Sequence, residues 1–588
     1  MENELNIKIS NAANDAVKHL FNADNANIQL QKTRKDFAGD ITLVCFPLTS
    51  VSKKSPEETG SAIGEYLKAN VTEVKDYNVV KGFLNIEMTA AFWLKTFDAI
   101  VATKQFGIAP SNGKVVVVEY CGPNTNKPLH VGHLRNMFLG YSIAEILKAN
   151  GYKVHKVNIL NDRGVAICKS MLAYQKWGKG KTPESEGIKA DHFIGDFYVA
   201  FGAEEKKQID ELVNNGVDEK EAKRNTPILI EAQTMLQKWE DGDDEVRALW
   251  KLNNKWCLDG HQQTYDSLGI DFEKNYAESD YYLSGKQIVQ DGVKSGAYIQ
   301  EEDNSIQVDL TDDGLDKKVL LRKDGTSVYL TQDLGVAEAR YQDFGMDKSI
   351  YVVGDEQNYH FKVLKLALQK LGKSYADGIY HLSYGMVDLP SGRMKTREGT
   401  VIDADELVAE MLTVAEQRTK ENGKLDQLNE QEAKDLYRKI GLAALKYFML
   451  KVGPKKRMLF NPEDSIEFVG DTGPFIQYSY ARIQSLLRKK SIESYNLTDI
   501  HPLSQELIKM INNFPEKLAE AGSNYDPSII ANYAYDLSKT FSKFYGEVPI
   551  IDDSNSDVTN FRLTLCNEVA KLIKRNLEMM GMEVVERM

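Results

Sequence analysis

Four consecutive valines constrain this chain more than any other feature. In Lys114-Val115-Val116-Val117-Val118-Glu119-Tyr120 there is no polar face, so a strand here must be covered on both sides. A turn rich in proline and asparagine follows. After it comes an apolar pattern of helical spacing, Met137 to Lys148. Two further short apolar runs, Val154 to Leu160 and Ser349 to Val353, read as strands of the same kind, with helical patterns between them. Alternation of this sort predicts an α/β domain with a doubly wound parallel sheet of Rossmann type. In such sheets ligands collect beyond the carboxyl ends of the strands, which makes the turn after the valines the first place to look for chemistry.

The flanking regions differ in texture. Residues 1–106 begin with a helical pattern from Ala12 to Phe21. They continue through the apolar run Ile41 to Phe46 and end in the strand-like Gly82-Phe83-Leu84-Asn85-Ile86. A small α+β domain is expected there, bounded by the polar turn Ala109 to Gly113. The central domain is expected over 112–455, with a charged helical insertion over about 187–300. From 460 to 588 the amphipathic stretches Ile476 to Lys489, Leu503 to Glu520, Ile529 to Tyr545 and Thr559 to Met580 predict an all-α bundle. At 588 residues, several domains are required.

Composition excludes little. No apolar run reaches the roughly 20 residues of a membrane span, so no membrane partner is expected. The five cysteines are scattered without a C-x-x-C pair, which fits a reducing cytoplasm and argues against a structural zinc. The net charge of −13 points away from nucleic acid overall but leaves room for a local basic face.

The turn after the valine strand reads Pro123-Asn124-Thr125-Asn126-Lys127-Pro128-Leu129-His130-Val131-Gly132-His133-Leu134-Arg135-Asn136. Two imidazoles at i and i+3 of a helix start can both donate to polyphosphate oxygens. Gly132 leaves the backbone open to a flat base. A metal pair, or two histidines without a role, is the bland alternative. The segment resembles the HIGH signature of class I aminoacyl-tRNA synthetases. With Glu119 to Asn124 before it and Leu134-Arg135 after it, it is similar to the arginyl branch. Further segments match in family order: Asn161-Asp162-Arg163-Gly164, Asp324 to Leu334, Tyr351 to Phe361, and Asp471-Thr472-Gly473-Pro474-Phe475-Ile476-Gln477-Tyr478.

That resemblance implies ATP, carried as its magnesium complex, L-arginine and tRNA(Arg) as substrates. It implies no tightly bound cofactor, no protein metal site, a monomer, and activation that depends on tRNA. It implies Lys127, His130, Gly132 and His133 at the nucleotide. It places Ser391 to Thr400 where the family carries its flexible KMSKS loop. There Arg393, Lys395, Thr396 and Arg397 would contact ATP, although Thr396 stands where a second lysine is usual. It also implies Tyr329 and Asp333 around a guanidinium, and Glu119, Asn124 and Gln357 on the α-amino side. Tyr329 and Asp333 share a helical face at i and i+4, although Asp333 could equally be a helix cap. Tyr478 and Arg482, near the basic clusters Lys455 to Arg457 and Arg488 to Lys490, suit phosphates and unstacked bases of a single-stranded RNA loop. Two other readings remain: another nucleotidyltransferase with a HIGH motif, and a non-catalytic RNA-binding paralogue.

Overall fold

The valine strand is buried on both faces, its side chains pointing alternately into one core and the other, and the architecture is built around it. The computed structural model describes residues 2–24, 26–34, 36–388, 402–421, 428–461 and 465–588. The N-terminal part has helix α1 (Glu2–Phe21), strands β1 (Leu30–Lys32) and β2 (Ile41–Val44), helix α2 (Pro56–Asn70), strands β3 (Val74–Val80) and β4 (Phe83–Met88), and helix α3 (Ala90–Ala102). Its sheet is antiparallel, in the order β1-β2-β4-β3. Helix α1 begins ten residues before the expected Ala12. Buried Ile9 extends the apolar stripe of Ala13, Ala16 and Val17 by one turn. At the start of α2 the Ser55 side chain accepts from the Glu58 amide at 3.2 Å and the Glu58 carboxylate accepts from the Ser55 amide at 3.0 Å. Pro56 sits in the first turn, where its missing N–H leaves no bond unmade.

The central domain opens with β5 (Val115–Glu119) and α4 (Val131–Ala149), then β6 (Lys153–Leu160) and α5 (Val165–Trp177). Helices α6 (Ala190–Asn214), α7 (Pro227–Glu240) and α8 (Asp244–Leu268) follow, then β7 (Lys274–Ala277) and α9 (Glu278–Lys294). A small antiparallel sheet of β8 (Ile299–Gln300), β9 (Ile306–Val308) and β10 (Lys318–Leu321) leads to α10 (Tyr329–Phe344), β11 (Lys348–Gly354), α11 (Asn358–Lys370) and β12 (Ile379–Tyr384). The main sheet is parallel throughout, in the order β12-β11-β5-β6-β7. Val116 and Val118 belong to one hydrophobic core and Val117 to another on the opposite face, as two-sided burial of the strand requires.

The chain runs from β5 outward to β6 and β7, then returns to lay β11 and β12 on the other side. The topological switch point therefore lies between β5 and β11.

The expected insertion over 187–300 needs correction. Lys274–Ala277 is hydrogen-bonded to β6 as a strand of the main sheet, so the sheet resumes inside that stretch. This edge strand is four residues long and buries only Tyr276, which leaves no apolar run to betray it. The inserted helices α6 to α8 pack with α5 around their own cores, one holding Ile167, Met171, Phe201, Ala232 and Trp239.

Strand β13 (Val387–Asp388) pairs in parallel with β14 (Met458–Leu459), and between them run α12 (Ala404–Glu421) and α13 (Glu430–Leu450). The C-terminal bundle comprises α14 (Gly473–Leu487), α15 (Pro502–Asn512), α16 (Phe514–Asn524), α17 (Ser528–Glu547) and α18 (Ser556–Met579). The single segment expected over Leu503 to Glu520 is two helices. Pro515, in the first turn of α16, has no N–H to continue the ladder of α15. The N-terminal domain leans on this bundle: Tyr495 donates to Asp98 at 2.7 Å, and Lys509 is ion-paired with Asp40.

Helix α4 is held close to the sheet. Gly140 faces Tyr120, and a Cβ added there would stand 2.3 Å from the Tyr120 Cβ. Gly140→Ala is therefore expected to destabilise the fold by about 1–3 kcal/mol through overpacking. Thermal and urea midpoints would reveal it, and an unchanged midpoint would show that the helix can move away from the strand.

Candidate active site

The turn beyond β5 carries two left-handed residues, Cys121 (φ 79°) and Gly122 (φ 63°), before the chain enters α4. His130 is the N-cap of that helix. Its Nδ1 accepts from the Gly132 amide at 3.1 Å, and Nδ1 of His133 accepts from the His130 amide at 3.1 Å. The ring centroids are 3.9 Å apart. With both δ nitrogens accepting, each neutral ring carries its proton on Nε2 and presents it as a donor. Burial pushes His130 down to about 4 and His133 well below the usual histidine range, and the charge of Lys127 adds to both shifts. At neutral pH the pair is uncharged and donates. Gly132 has a nearer reason than an approaching base: a Cβ there would lie 2.9 Å from Cε1 of His130.

Lys127 stands three residues ahead of His130, half-buried, and its pKa is lowered by burial. Its carbonyl accepts from Nε2 of His261 on α8 at 2.9 Å. Its ammonium makes no hydrogen bond or ion pair with any described residue. A desolvated cation with no counter-ion among the described residues, near two N–H donors at a helix N-terminus, has the chemistry to receive an anion.

Arg393, Lys395, Thr396 and Arg397 lie outside the described residues. The segments on either side of them are bonded to α4 and the turn before it. Arg135, fully buried in α4, donates to the carbonyls of Gly385 at 2.7 Å, Pro454 at 3.2 Å and Lys456 at 2.8 Å. Beyond the loop, the Val131 amide donates to the Ile402 carbonyl at 3.2 Å, and the Ala404 amide to the Leu129 carbonyl at 3.0 Å.

A second group of ionisable side chains, mostly acidic, gathers around Asp333. Asp333 lies in the second turn of α10, five residues into the helix, so it is not a cap. Its Oδ2 is 2.5 Å from Nε2 of His360. Burial opposes charge on His360, but the Asp333 carboxylate outweighs it and the histidine pKa is raised. Glu119 ends β5 and is ion-paired with fully buried Arg340, which packs near the rings of Tyr276 and Tyr351. Asn124 bridges to Asn161 where β5 and β6 end. Gln357 is exposed at the end of β11, and Tyr329 is 76% exposed at the start of α10.

Glu278, the first residue after β7, escaped the sequence reading. It is buried, and no described residue gives it a hydrogen bond or an ion pair. Its carboxyl is pushed up to about 8, by burial first and then by the charges of Asp333 and Asp162. The missing signal was the unrecognised strand before it. Arg340 and His360 were missed because their partners, Glu119 and Asp333, lie on other elements.

Residues 96–461 match the family described as tRNA synthetases class I (R), catalytic domain; residues 476–588 match the DALR anticodon binding domain, and residues 3–88 the arginyl tRNA synthetase N terminal domain. The arginine–tRNA ligase of Parabacteroides distasonis is 50% identical, covering 99% of this chain and 99% of its own length. That of Bacteroides fragilis is 51% identical over 96% of each chain. The chain belongs to the arginyl-tRNA synthetase family. A solved structure of Thermus thermophilus arginyl-tRNA synthetase shares the fold, with a TM-score of 0.78 at 23% identity, covering 99% of this chain and all of that one.

In this arginyl-tRNA synthetase family member, Tyr478 and Arg482 meet on α14. Nη2 of Arg482 donates to the Tyr478 hydroxyl at 2.8 Å, and the guanidinium lies 4.8 Å from the Tyr545 ring of α17. The sequence also gave no warning of Asp191, His192 and Asp405, whose possible ligand atoms lie within 4.8 Å of one another. The ammonium of Lys189 is bonded to both carboxylates of that group. Among the described residues no helix is long and apolar enough to cross a membrane.

Because the Lys127 charge helps to hold His130 neutral, Lys127→Met is expected to raise the His130 pKa. Histidine-selective NMR titration measures it. An unchanged or lower value would mean that the two side chains do not share one site.

Proposed function

We propose that the chain activates L-arginine with ATP, taken as its magnesium complex, and transfers the arginyl group to the 3'-terminal ribose of tRNA(Arg). The arginine carboxylate oxygen attacks the α-phosphorus. The bond to the bridging oxygen of the β-phosphate breaks, and pyrophosphate leaves with its electron pair. The ribose hydroxyl then attacks the arginyl carbonyl, loses its proton and displaces AMP.

The observation that carries this reading is the division of the crevice by charge. On one side stand two neutral imidazole donors and the Lys127 ammonium, which has no partner among the described residues, in the turn after β5. These suit a polyphosphate whose charge grows as the leaving group departs. On the other side stand Asp333 and the carboxyl of Glu278, which has no partner among the described residues; together they suit a planar guanidinium. Asn124, Gln357 and Tyr329, on the segments that follow β5, β11 and β10, would orient the amino acid, with Glu119 held by Arg340 behind them. Arg393, Lys395 and Arg397 would close on the triphosphate. Lys127 would supply the charge that Thr396 does not. The N-terminal domain and α14–α18, with Tyr478 and Arg482, would hold the tRNA. Such an enzyme acts in the cytoplasm as a monomer.

Pyrophosphate exchange with each amino acid, with and without tRNA, tests the whole reading. Arginine alone is expected to support exchange, and only with tRNA(Arg) present. Exchange with a different amino acid, or none under any condition, would refute it.

Glu278 adds a pH dependence. A bound guanidinium stabilises the carboxylate and lowers its pKa from about 8, so arginine binding releases a proton below that pH. The arginine KM is expected to fall as pH rises toward 8, by up to about tenfold per unit. His360 acts in the same direction, since its raised pKa also drops beside a cation. Glu278→Gln should raise the KM and leave only the shallower His360 dependence. A profile as steep as that of the unaltered enzyme would show that Glu278 does not face the substrate.

A further inference from the structure

The inserted helices grip the nucleotide-binding turn at two points. On one side, His261 of α8 holds the Lys127 carbonyl. On the other, a cluster forms where α6 and α12 begin. Asp405 Oδ2 receives Nζ of Lys189 at 2.6 Å and Nε2 of His192 at 3.1 Å, and Asp405 Oδ1 receives the Thr264 hydroxyl of α8 at 2.9 Å. Lys189 also donates to Thr264 at 2.6 Å and to fully buried Asp191 at 3.1 Å. His192 lies 3.4 Å from Oδ2 of Asp403, whose Oδ1 caps α12 by accepting from the amides of Asp405 and Glu406. The helices must come close for this. A Cβ on Gly260 of α8 would stand 2.3 Å from Oδ1 of Asp191.

Asp403 is also the residue that lies opposite His130 in an isolated antiparallel bridge. The bridge is closed by the two backbone bonds between Leu129–Val131 and Ile402–Ala404. The cluster therefore anchors the segment against which the first signature histidine is laid. Three elements distant in sequence meet there: α6, α8 and α12.

We propose that Lys189, His192 and Thr264 are positioning residues for the nucleotide-binding turn, acting through Asp403 and Asp405 to hold Ile402–Ala404, and with it His130, in register for the triphosphate. This rests on the reading that His130 and His133 donate to ATP phosphates. The opposed charges explain why the cluster holds a fixed geometry: Asp405 is kept well below the usual carboxylate range by His192 and Lys189 against the cost of burial, and His192 is raised by Asp405. A purely structural cluster would set stability. A positioning cluster also sets ATP recognition, because small displacements of a binding group are felt at the reacting centre.

The test uses the full chain with tRNA present and compares Thr264→Val, Thr264→Ser, His192→Gln and His130→Ala. Valine keeps the shape of threonine and removes its hydroxyl, while serine keeps the hydroxyl. The half-buried His192 gives a second variant that does not disturb a core. Thr264→Val and His192→Gln are expected to raise the ATP KM on the order of tenfold in pyrophosphate exchange. They should leave the arginine KM within about twofold and weaken the thermal shift produced by ATP alone, and Thr264→Ser should restore both. Lower melting temperatures with an unchanged ATP KM would overturn the proposal, as would equal losses for ATP and arginine. Impairment of His130→Ala, with Thr264→Val and His192→Gln normal, would sink the proposal and leave the function intact. Normal ATP use by His130→Ala would refute the phosphate reading and this proposal together.

Discussion

The guanidinium of Arg135 is the contact on which the rest of the site depends. It is a full charge taken out of water, and burial brings its pKa down to about 10, so it stays protonated. The Gly385, Pro454 and Lys456 carbonyls stand in for the lost water, supplied by segments about 250 to 320 residues away. Removing such a donor would leave several buried carbonyls without partners, a large penalty in a medium of low dielectric. The neighbouring Asn136 does the same for the sheet. Its Oδ1 accepts from the Cys121 amide at 2.6 Å, and its Nδ2 donates to the Val352 carbonyl at 2.7 Å. One helix thus carries the signature histidines at its start and, one turn later, the two side chains that join β5, β11 and the segments leading into β13 and β14.

Two ionisable groups are buried at a cost to the stability of the fold. Lys127 is desolvated with no counter-ion among the described residues, and Glu278 is a buried acid whose pKa its surroundings push up to about 8. Neither arrangement favours the empty fold. Under the proposed function each becomes favourable when a ligand of opposite charge arrives, a common property of sites that bind charged reactants. By contrast Glu119 already has its cation in Arg340, so its charge is compensated within the fold.

What the sequence by itself determined was local and periodic. The valine strand, the helix after it, the His130–His133 pair at that helix start, and the α10 face shared by Tyr329 and Asp333 all rest on spacings shorter than two helical turns. Side-chain direction along a strand or helix follows from backbone geometry alone, so these relations survive without knowledge of the rest of the chain. Only the tertiary structure decided which distant groups meet. Glu119 and Arg340 are 221 residues apart, Lys189 and Asp405 are 216 apart, and Arg135 and Lys456 are 321 apart. Glu278 entered the site because a polar four-residue strand joined the edge of the sheet, where no apolar pattern is needed. Such pairings depend on how helices stack across a sheet and on which strand lies beside which. That outcome is set by the packing of the whole core, and no local pattern of residues encodes it.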